Sequence, residues 1–293
     1  MKRGETLLIL NDGRISVGYK KGITIYDPDN FKESFDIEDY GPFQSQLQNG
    51  MLLASYSRGC AIFELSKENY NIKILIDCDD PVLYVEALSK NYVTASVKYR
   101  NRVYVYELSD NYKKSYQSTI YLEEQNECKF MLNVNEYEMF YVVSTENYSP
   151  IKKSAFYDYK KENEIKSLNI YIDVENKAIS KINNNFIAAA EMSKITLIDI
   201  ENHKVAELID IEKNIFSFCP LLNDYLLVGN FDENSESNLL QQYEFDKNVI
   251  NLKLVTEKKN MKIDSFIKKM GYLPNGNLVL LTYSGSVKIL STD

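Results

Sequence analysis

Tryptophan is absent from this sequence of 293 residues, and histidine occurs once, as His203. The four cysteines, Cys60, Cys78, Cys128 and Cys219, include no C-x-x-C pair, and none of them lies close to His203. Zinc sites and multi-histidine sites need several such ligands, and disulfide frameworks need regularly paired cysteines. The sequence therefore predicts no metal site, no cofactor and no disulfide framework, and it indicates a reducing, cytoplasmic location.

Long apolar runs and a positive net charge are also missing. No apolar stretch approaches about 18 residues, the length expected of a membrane-spanning helix, so we expect no membrane span. The short run at residues 7–10 is broken by Asn11-Asp12-Gly13, and we expect no signal peptide. Aspartate and glutamate number 42 against 34 lysines and arginines, and the net charge of -8 argues against nucleic acid as a partner.

Tyrosine is abundant, with 23 residues, and together with isoleucine, valine and phenylalanine it favours strands over helices. An aromatic residue followed by an acid recurs at the end of short apolar strands: Tyr26-Asp27, Phe63-Glu64, Tyr106-Glu107, Tyr157-Asp158 and Tyr243-Glu244. Ile198-Asp199 has the same acid after an aliphatic residue. A period of about 40 residues with this content indicates a stack of four-stranded units.

Four strands, labelled A to D in order, make up the first unit, at residues 7–10, 14–19, 23–27 and 31–37. Apolar and polar side chains alternate along its strand B, as expected of a strand with two different faces. In the second unit only strands B, C and D are recognised, at residues 51–56, 60–65 and 72–77. The complete series predicts seven units, at residues 6–37, 43–77, 82–119, 129–170, 178–210, 215–257 and 263–293.

Seven units of about 42 residues predict an all-β fold, a seven-bladed β-propeller with four-stranded antiparallel blades, in one domain spanning residues 1–293. The last unit ends after strand C, so its blade is expected to have three strands and an exposed edge at Val287–Leu290. An unpaired apolar edge invites pairing with another chain, and we expect a segment upstream of Met1 or a partner to cover it.

Two stretches carry a resemblance to a known family. Residues 11–27, with Asn11-Asp12-Gly13 before strand B and Tyr26-Asp27 at the end of strand C, resemble a WD-repeat (WD40-like) unit, and so do residues 274–290. The family's Trp-Asp is replaced by Tyr-Asp, Phe-Glu or Tyr-Glu, and its Gly-His pair is missing. Its buried Asp-His-Ser-Trp network cannot form here, so aromatic and aliphatic packing must hold the blades.

The family places its tryptophan between neighbouring blades. The resemblance therefore implies that the aromatic residues at the equivalent positions are buried there: Tyr26, Phe63, Tyr106, Tyr157 and Tyr243.

Enzymatic motifs are not found. The sequence has no glycine-rich phosphate loop, no His-Glu-x-x-His and no nucleophile elbow. The carboxylate pairs Asp79-Asp80 and Glu123-Glu124 fall in acidic loops between units, where solvation is the expected role, and His203 is predicted to be an exposed loop residue. We therefore predict a protein without enzymatic activity.

Basic residues recur in the predicted turns between strands B and C: Lys20, Lys21, Arg58, Arg100, Arg102, Lys152, Lys153 and Lys194. The loops from strand D to the next strand A are acidic: Glu38, Asp39, Asp79, Asp80, Glu123, Glu124, Asp173, Glu175, Asp210 and Glu212. In a WD-like blade both sets lie on one face. Either they neutralise each other as weak surface pairs, or the basic residues form an arc that docks an acidic or phosphorylated peptide.

The function that these observations favour is a non-catalytic scaffold that binds other proteins or peptides through loops on one face. The alternative is the substrate-recognition or docking module of a larger chain, such as a ubiquitin ligase, which rests on analogy with the fold alone. A propeller enzyme is a third possibility, against which the missing motifs argue.

Overall fold

A computed structural model describes residues 3–78, 80–89, 91–98, 101–109, 114–123, 126–145, 153–168, 170, 172, 178–211, 213–232, 237–261, 263 and 265–291. These residues form strands and turns, with no helix among them. The chain divides into two compact units, Met1–Ser167 and Leu168–Asp293, which are described separately below. The single-domain organisation stays a prediction.

The first four blades are antiparallel sheets whose strands follow one another in chain order. Blade 1 contains β1 (Gly4–Ile9), β2 (Ile15–Tyr19), β3 (Gly22–Tyr26) and β4 (Glu33–Glu38). Blade 2 contains β5 (Gln44–Gln46), β6 (Leu52–Tyr56), β7 (Gly59–Leu65) and β8 (Tyr70–Asp77). Blade 3 contains β9 (Val82–Ala87), β10 (Tyr92–Val97), β11 (Arg102–Leu108) and β12 (Lys114–Tyr121). Blade 4 contains β13 (Asn126–Asn133), β14 (Glu138–Thr145), β15 (Lys153–Asp158) and β16 (Asn163–Leu168).

The remaining three blades follow the same order. Blade 5 contains β17 (Ile179–Lys181), β18 (Phe186–Glu191), β19 (Lys194–Asp199) and β20 (Lys204–Asp210). Blade 6 contains β21 (Asn214–Pro220), β22 (Tyr225–Asp232), β23 (Ser237–Asp246) and β24 (Asn251–Met261). Blade 7 contains β25 (Ile267–Tyr272), β26 (Leu278–Thr282) and β27 (Val287–Leu290). Seven blades, the last with three strands, are therefore present as predicted.

Burial explains why this alternating sequence forms these sheets. Strands B are buried on both faces, as in β2 and β26, where every residue is buried. Strands D are mostly exposed, as in β20, where no residue is fully buried. The apolar side chains of the middle strands leave water on folding, which stabilises a blade by about 25 cal/mol for each Å² of apolar surface removed. Strand D can therefore tolerate the charged residues that the sequence places there.

Strand β5 was not predicted, because Gln44, Ser45 and Gln46 have no apolar residue to mark a strand. Side-chain amides hold it against blade 1. The Gln46 Oε1 accepts a hydrogen bond from the Asn11 backbone N–H at 2.8 Å, and the Gln44 Nε2 donates to the Ser16 carbonyl at 3.1 Å. The backbone of β5 pairs antiparallel with β6, and these side-chain hydrogen bonds attach the strand to blade 1 without a hydrophobic pattern.

Four of the five aromatic residues expected between blades are buried there. The clusters that contain Phe63, Tyr106, Tyr157 and Tyr243 each combine residues of two consecutive blades. Their exposed fractions are 0%, 0%, 6% and 5%. In each case the ring packs against the preceding blade in the chain, which confirms the alignment of the repeats.

The prediction is wrong for Tyr26, which is only half-buried. Blade 1 is the first blade of the compact unit Met1–Ser167, so no earlier blade of that compact unit covers this ring. Phe31 covers it instead, stacked at 4.7 Å between ring centroids, and the Tyr26 hydroxyl lies 2.9 Å from the Tyr19 hydroxyl. Tyr26 is therefore a local contact within blade 1.

The edge at Val287–Leu290 is less open than expected. All four residues of β27 are half-buried, and their sheet contains β25, β26 and β27. The covering of this strand by an upstream segment or a partner stays a prediction.

Candidate functional site

The turn between strands B and C lies beside the start of the D-to-A loop in the same blade, and one backbone hydrogen bond recurs there. The first residue after strand D donates its N–H to the carbonyl of a turn residue. This occurs between Asp39 and Lys21 at 3.2 Å, Cys78 and Arg58 at 2.7 Å, Leu122 and Asn101 at 2.8 Å, and Ile211 and Ser193 at 2.8 Å. The repeat places the basic turns and the acidic loops side by side within each of these blades.

Three of the basic residues predicted at these turns are exposed. Lys20, Lys21 and Arg58 are exposed, and no ion pair joins them to any residue that the structure describes. They belong to blades 1 and 2, and we refer to them as the basic turn cluster. Exposed cations of this kind suit an acidic ligand, because none of the ion pairs among the described residues has to be broken first.

Two others are neutralised, as the first interpretation predicted. The Lys153 ammonium lies 3.1 Å from a Glu164 oxygen and 3.9 Å from a Glu123 oxygen. Lys194, in blade 5, lies 3.7 Å from Asp210. Both pairs are partly exposed and contribute little to stability, typically below about 1 kcal/mol.

Arg102 has an aromatic partner that the sequence analysis missed. Its guanidinium lies 5.3 Å from the centroid of the Tyr121 ring, at the end of strand β12. The Tyr121 side chain is 73% exposed. A tyrosine at the end of strand D, opposite a basic B-to-C turn, is the sequence signal that predicts such a contact. Arg100 and Lys152 lie outside the described residues.

In the described part of the chain, no group of three or more His, Cys, Asp or Glu side chains is placed to hold a metal ion. All four cysteines are free and buried. Cys78 lies 3.2 Å from the Tyr106 hydroxyl in the core between blades 2 and 3, where burial raises the pKa of that tyrosine. No described helix has the length and apolar character needed to cross a membrane.

Comparison with known proteins shows similarity in structure but not in sequence. No protein-family model matches the chain, and no curated protein matches it. The β-propeller domain of Cps50 (Swd1) from Myceliophteria thermophila aligns with a TM-score of 0.70 and 10% identity, over 100% of this chain and 98% of that one. Hydrazine synthase from Kuenenia stuttgartiensis aligns with a TM-score of 0.67 and 12% identity, over 96% and 92%. The C-terminal WD40 domain of Sif2 aligns with a TM-score of 0.67 and 9% identity, over 99% and 81%.

These alignments and the seven blades define the chain as a seven-bladed β-propeller with the WD40 fold, as the resemblance in its sequence predicts. At such low identities the likeness concerns the fold alone. Hydrazine synthase is an enzyme by its name, so the fold does not decide whether a propeller is catalytic.

Proposed function

We propose that this propeller is a non-catalytic scaffold that binds protein partners through its B-to-C turns and D-to-A loops. The observation that carries the proposal is the basic turn cluster, in which Lys20, Lys21 and Arg58 are exposed and without ion pairs to the described residues. The recurring backbone hydrogen bonds attach these turns to the sheets. A partner would therefore meet cations on a preformed surface and lose little entropy in ordering it.

The cluster favours an acidic or phosphorylated peptide segment as the ligand. Lysine and arginine bind carboxylates and phosphates through charge-assisted hydrogen bonds, each typically contributing about 1.5–3 kcal/mol. If the protein acts as the docking module of a larger chain, such as a ubiquitin ligase, this surface would read the substrate. The four free, buried thiols support a reducing compartment, in agreement with the predicted cytoplasmic location.

Charge reversal tests the proposal. We expect the triple variant Lys20→Glu, Lys21→Glu, Arg58→Glu to lose binding to acidic and phosphorylated peptides by about tenfold or more, since a single charge-assisted contact exceeds the 1.4 kcal/mol that tenfold represents. Fluorescence polarisation with a library of phosphoserine and glutamate peptides gives the measurement. The melting temperature should stay close to that of the parent protein, because exposed substitutions change stability by about 0.5 kcal/mol or less.

A matched control changes the same amount of charge elsewhere. Lys32, Lys67 and Lys166 are exposed and lie outside the B-to-C turns, in a C-to-D turn of blade 1, a C-to-D turn of blade 2 and strand β16. Reversing these three should leave peptide binding intact. Equal losses in both triple variants would mean that net charge alone attracts the peptides, and no loss in either would contradict the proposal.

A further inference from the structure

Two cavities lie at the junction of blades 3 and 4, within the compact unit Met1–Ser167. One, of about 320 Å³, lies between the end of β12 and strands β14 to β16. The other, of about 280 Å³, lies between strands β10 to β12 and the turn after β15. Glu162 lines both cavities, and its carboxylate accepts a hydrogen bond of 2.6 Å from the Tyr116 hydroxyl of β12. The two cavities therefore adjoin at Glu162 and its hydrogen bond to Tyr116, and together we call them the tyrosine groove.

Aromatic rings and carboxylates dominate the walls of this groove. The tyrosines are Tyr92, Tyr116, Tyr121, Tyr141, Tyr157 and Tyr159. Four carboxylates, Glu107, Glu123, Glu162 and Glu164, face two ammonium groups, Lys153 and Lys160, so the lining carries a net charge of 2 − 4 = −2. This charge is opposite to that of the basic turn cluster, so the groove suits a different ligand.

Two cations of this chain already contact the groove, one through a carboxylate and one through an aromatic ring. Its carboxylates bind the Lys153 ammonium, 3.1 Å from Glu164. One of its rings, Tyr121, has the Arg102 guanidinium 5.3 Å from its centroid. Both distances are within the range at which a cation is stabilised by a carboxylate or by an aromatic face. The Glu123 side chain is 75% exposed, and its oxygen lies farther from the Lys153 ammonium, at 3.9 Å, than the Glu164 oxygen at 3.1 Å, so much of Glu123 still faces solvent.

Two tyrosine hydroxyls of the groove respond to the charge of Glu162. Burial, followed by the charge of Glu162, raises the pKa of Tyr157 to about 12. The hydrogen bond to Glu162 raises the pKa of Tyr116. A negative potential that opposes loss of a tyrosine proton favours the entry of a positive group.

We propose that the tyrosine groove binds an arginine side chain carried by an extended segment of a partner protein. The guanidinium is planar, so it can stack on a tyrosine ring of the lining while it donates paired hydrogen bonds to Glu123 or Glu162. A cavity of about 320 Å³ is at the lower end of the range of about 300–1,000 Å³ that holds small ligands, so it matches one side chain rather than a large cofactor. The second cavity receives the residues that follow in the segment.

Peptide arrays test this proposal directly. The whole protein is applied to arrays of nonapeptides with random flanks and a fixed central arginine, citrulline, lysine or glutamate. We expect the arginine pool to capture about tenfold more protein than the citrulline pool, because citrulline keeps the shape of the side chain but not its charge. The lysine pool should be intermediate, since ammonium stacks and pairs less well with planar groups.

Two variants locate the binding site. The double variant Glu123→Gln, Glu162→Gln brings the net charge of the groove from −2 to about zero, and the glutamine still accepts the Tyr116 hydrogen bond. We expect it to lose most of its preference for arginine. Glu68→Gln, Glu201→Gln changes the same charge at exposed turns of blades 2 and 5 and should bind like the parent. The variant with a reversed basic turn cluster should also keep the preference, which separates this site from the proposed peptide surface.

Equal capture by the arginine and citrulline pools would overturn the proposal, as would an unchanged preference in the Glu123→Gln, Glu162→Gln variant. Equal capture by the arginine and lysine pools would show that the groove reads charge without a preference for guanidinium, against the stacking geometry assigned here.

Discussion

Replacing Tyr106 by alanine is expected to lower the free energy of unfolding by about 3–5 kcal/mol, the typical cost of removing a large core aromatic side chain. Tyr106 is 0% exposed and lies in the cluster that joins blades 2 and 3. Its hydroxyl lies 3.2 Å from the Cys78 sulfur, so the variant leaves a cavity and removes a buried polar contact together. Urea unfolding followed by circular dichroism measures the loss.

Two further variants separate the contributions to this effect. Tyr106→Phe removes only the hydroxyl and should cost about 1 kcal/mol, as for a single buried hydrogen bond. Tyr121→Ala removes a tyrosine that is 73% exposed, and its cost should stay within about 0.5 kcal/mol. If Tyr106→Ala cost no more than Tyr121→Ala, the packing of aromatic residues between blades would not be what holds them together.

The second large effect is expected at Gly59, the first residue of strand C in blade 2. A Cβ atom at this position would lie 2.0 Å from the Ile76 carbonyl oxygen and 2.8 Å from the Tyr56 hydroxyl. The backbone of β7 and β8 would have to separate, because a carbonyl oxygen in a sheet cannot rotate aside. Overpacking typically costs about 1–3 kcal/mol, and we expect Gly59→Ala to reach at least the upper end of that range.

Gly22 supplies the matched control, since it occupies the same position at the start of strand C in blade 1. Its added Cβ would lie 3.1 Å from the Ile37 carbonyl oxygen, a contact that a shift of a few tenths of an ångström relieves. Gly22→Ala should therefore cost clearly less in the same urea unfolding experiment. Equal costs at the two glycines would show that the contact distance is not the cause. Gly59 also follows Arg58, so the variant should disturb one turn of the basic turn cluster.

Tyr106 and Tyr26 differ in burial although their local sequence patterns are alike. Five of the strands C are predicted because an apolar run ends in an aromatic residue followed by an acid. The same rule failed at Tyr26, where the sequence is as typical as at Tyr106 but the neighbouring surface is different. Whether an aromatic residue is buried depends on the element that lies against it, which a local pattern does not contain.

The candidate sites were predictable to different degrees. The positions of Lys20, Lys21 and Arg58 in B-to-C turns followed from the repeat, but their lack of ion pairs to the described residues did not. Lys153 and Lys194 have the same sequence signature and are paired with Glu164 and Asp210. The lengths and directions of facing side chains decide which cation is neutralised, and those are properties of the folded blades.

The sequence by itself determined the number of blades and the antiparallel strand order. These features repeat with a fixed period, and alternation of polar and apolar residues specifies strands wherever one face is buried. Only the tertiary structure decided strand β5 and the tyrosine groove. Gln44–Gln46 pairs with β6 although it has no apolar residue, and hydrogen bonds of its side-chain amides to blade 1 help to hold it there. The groove joins Tyr116 to Glu162 across 46 residues, and only the packing of one blade on the next brings such groups together.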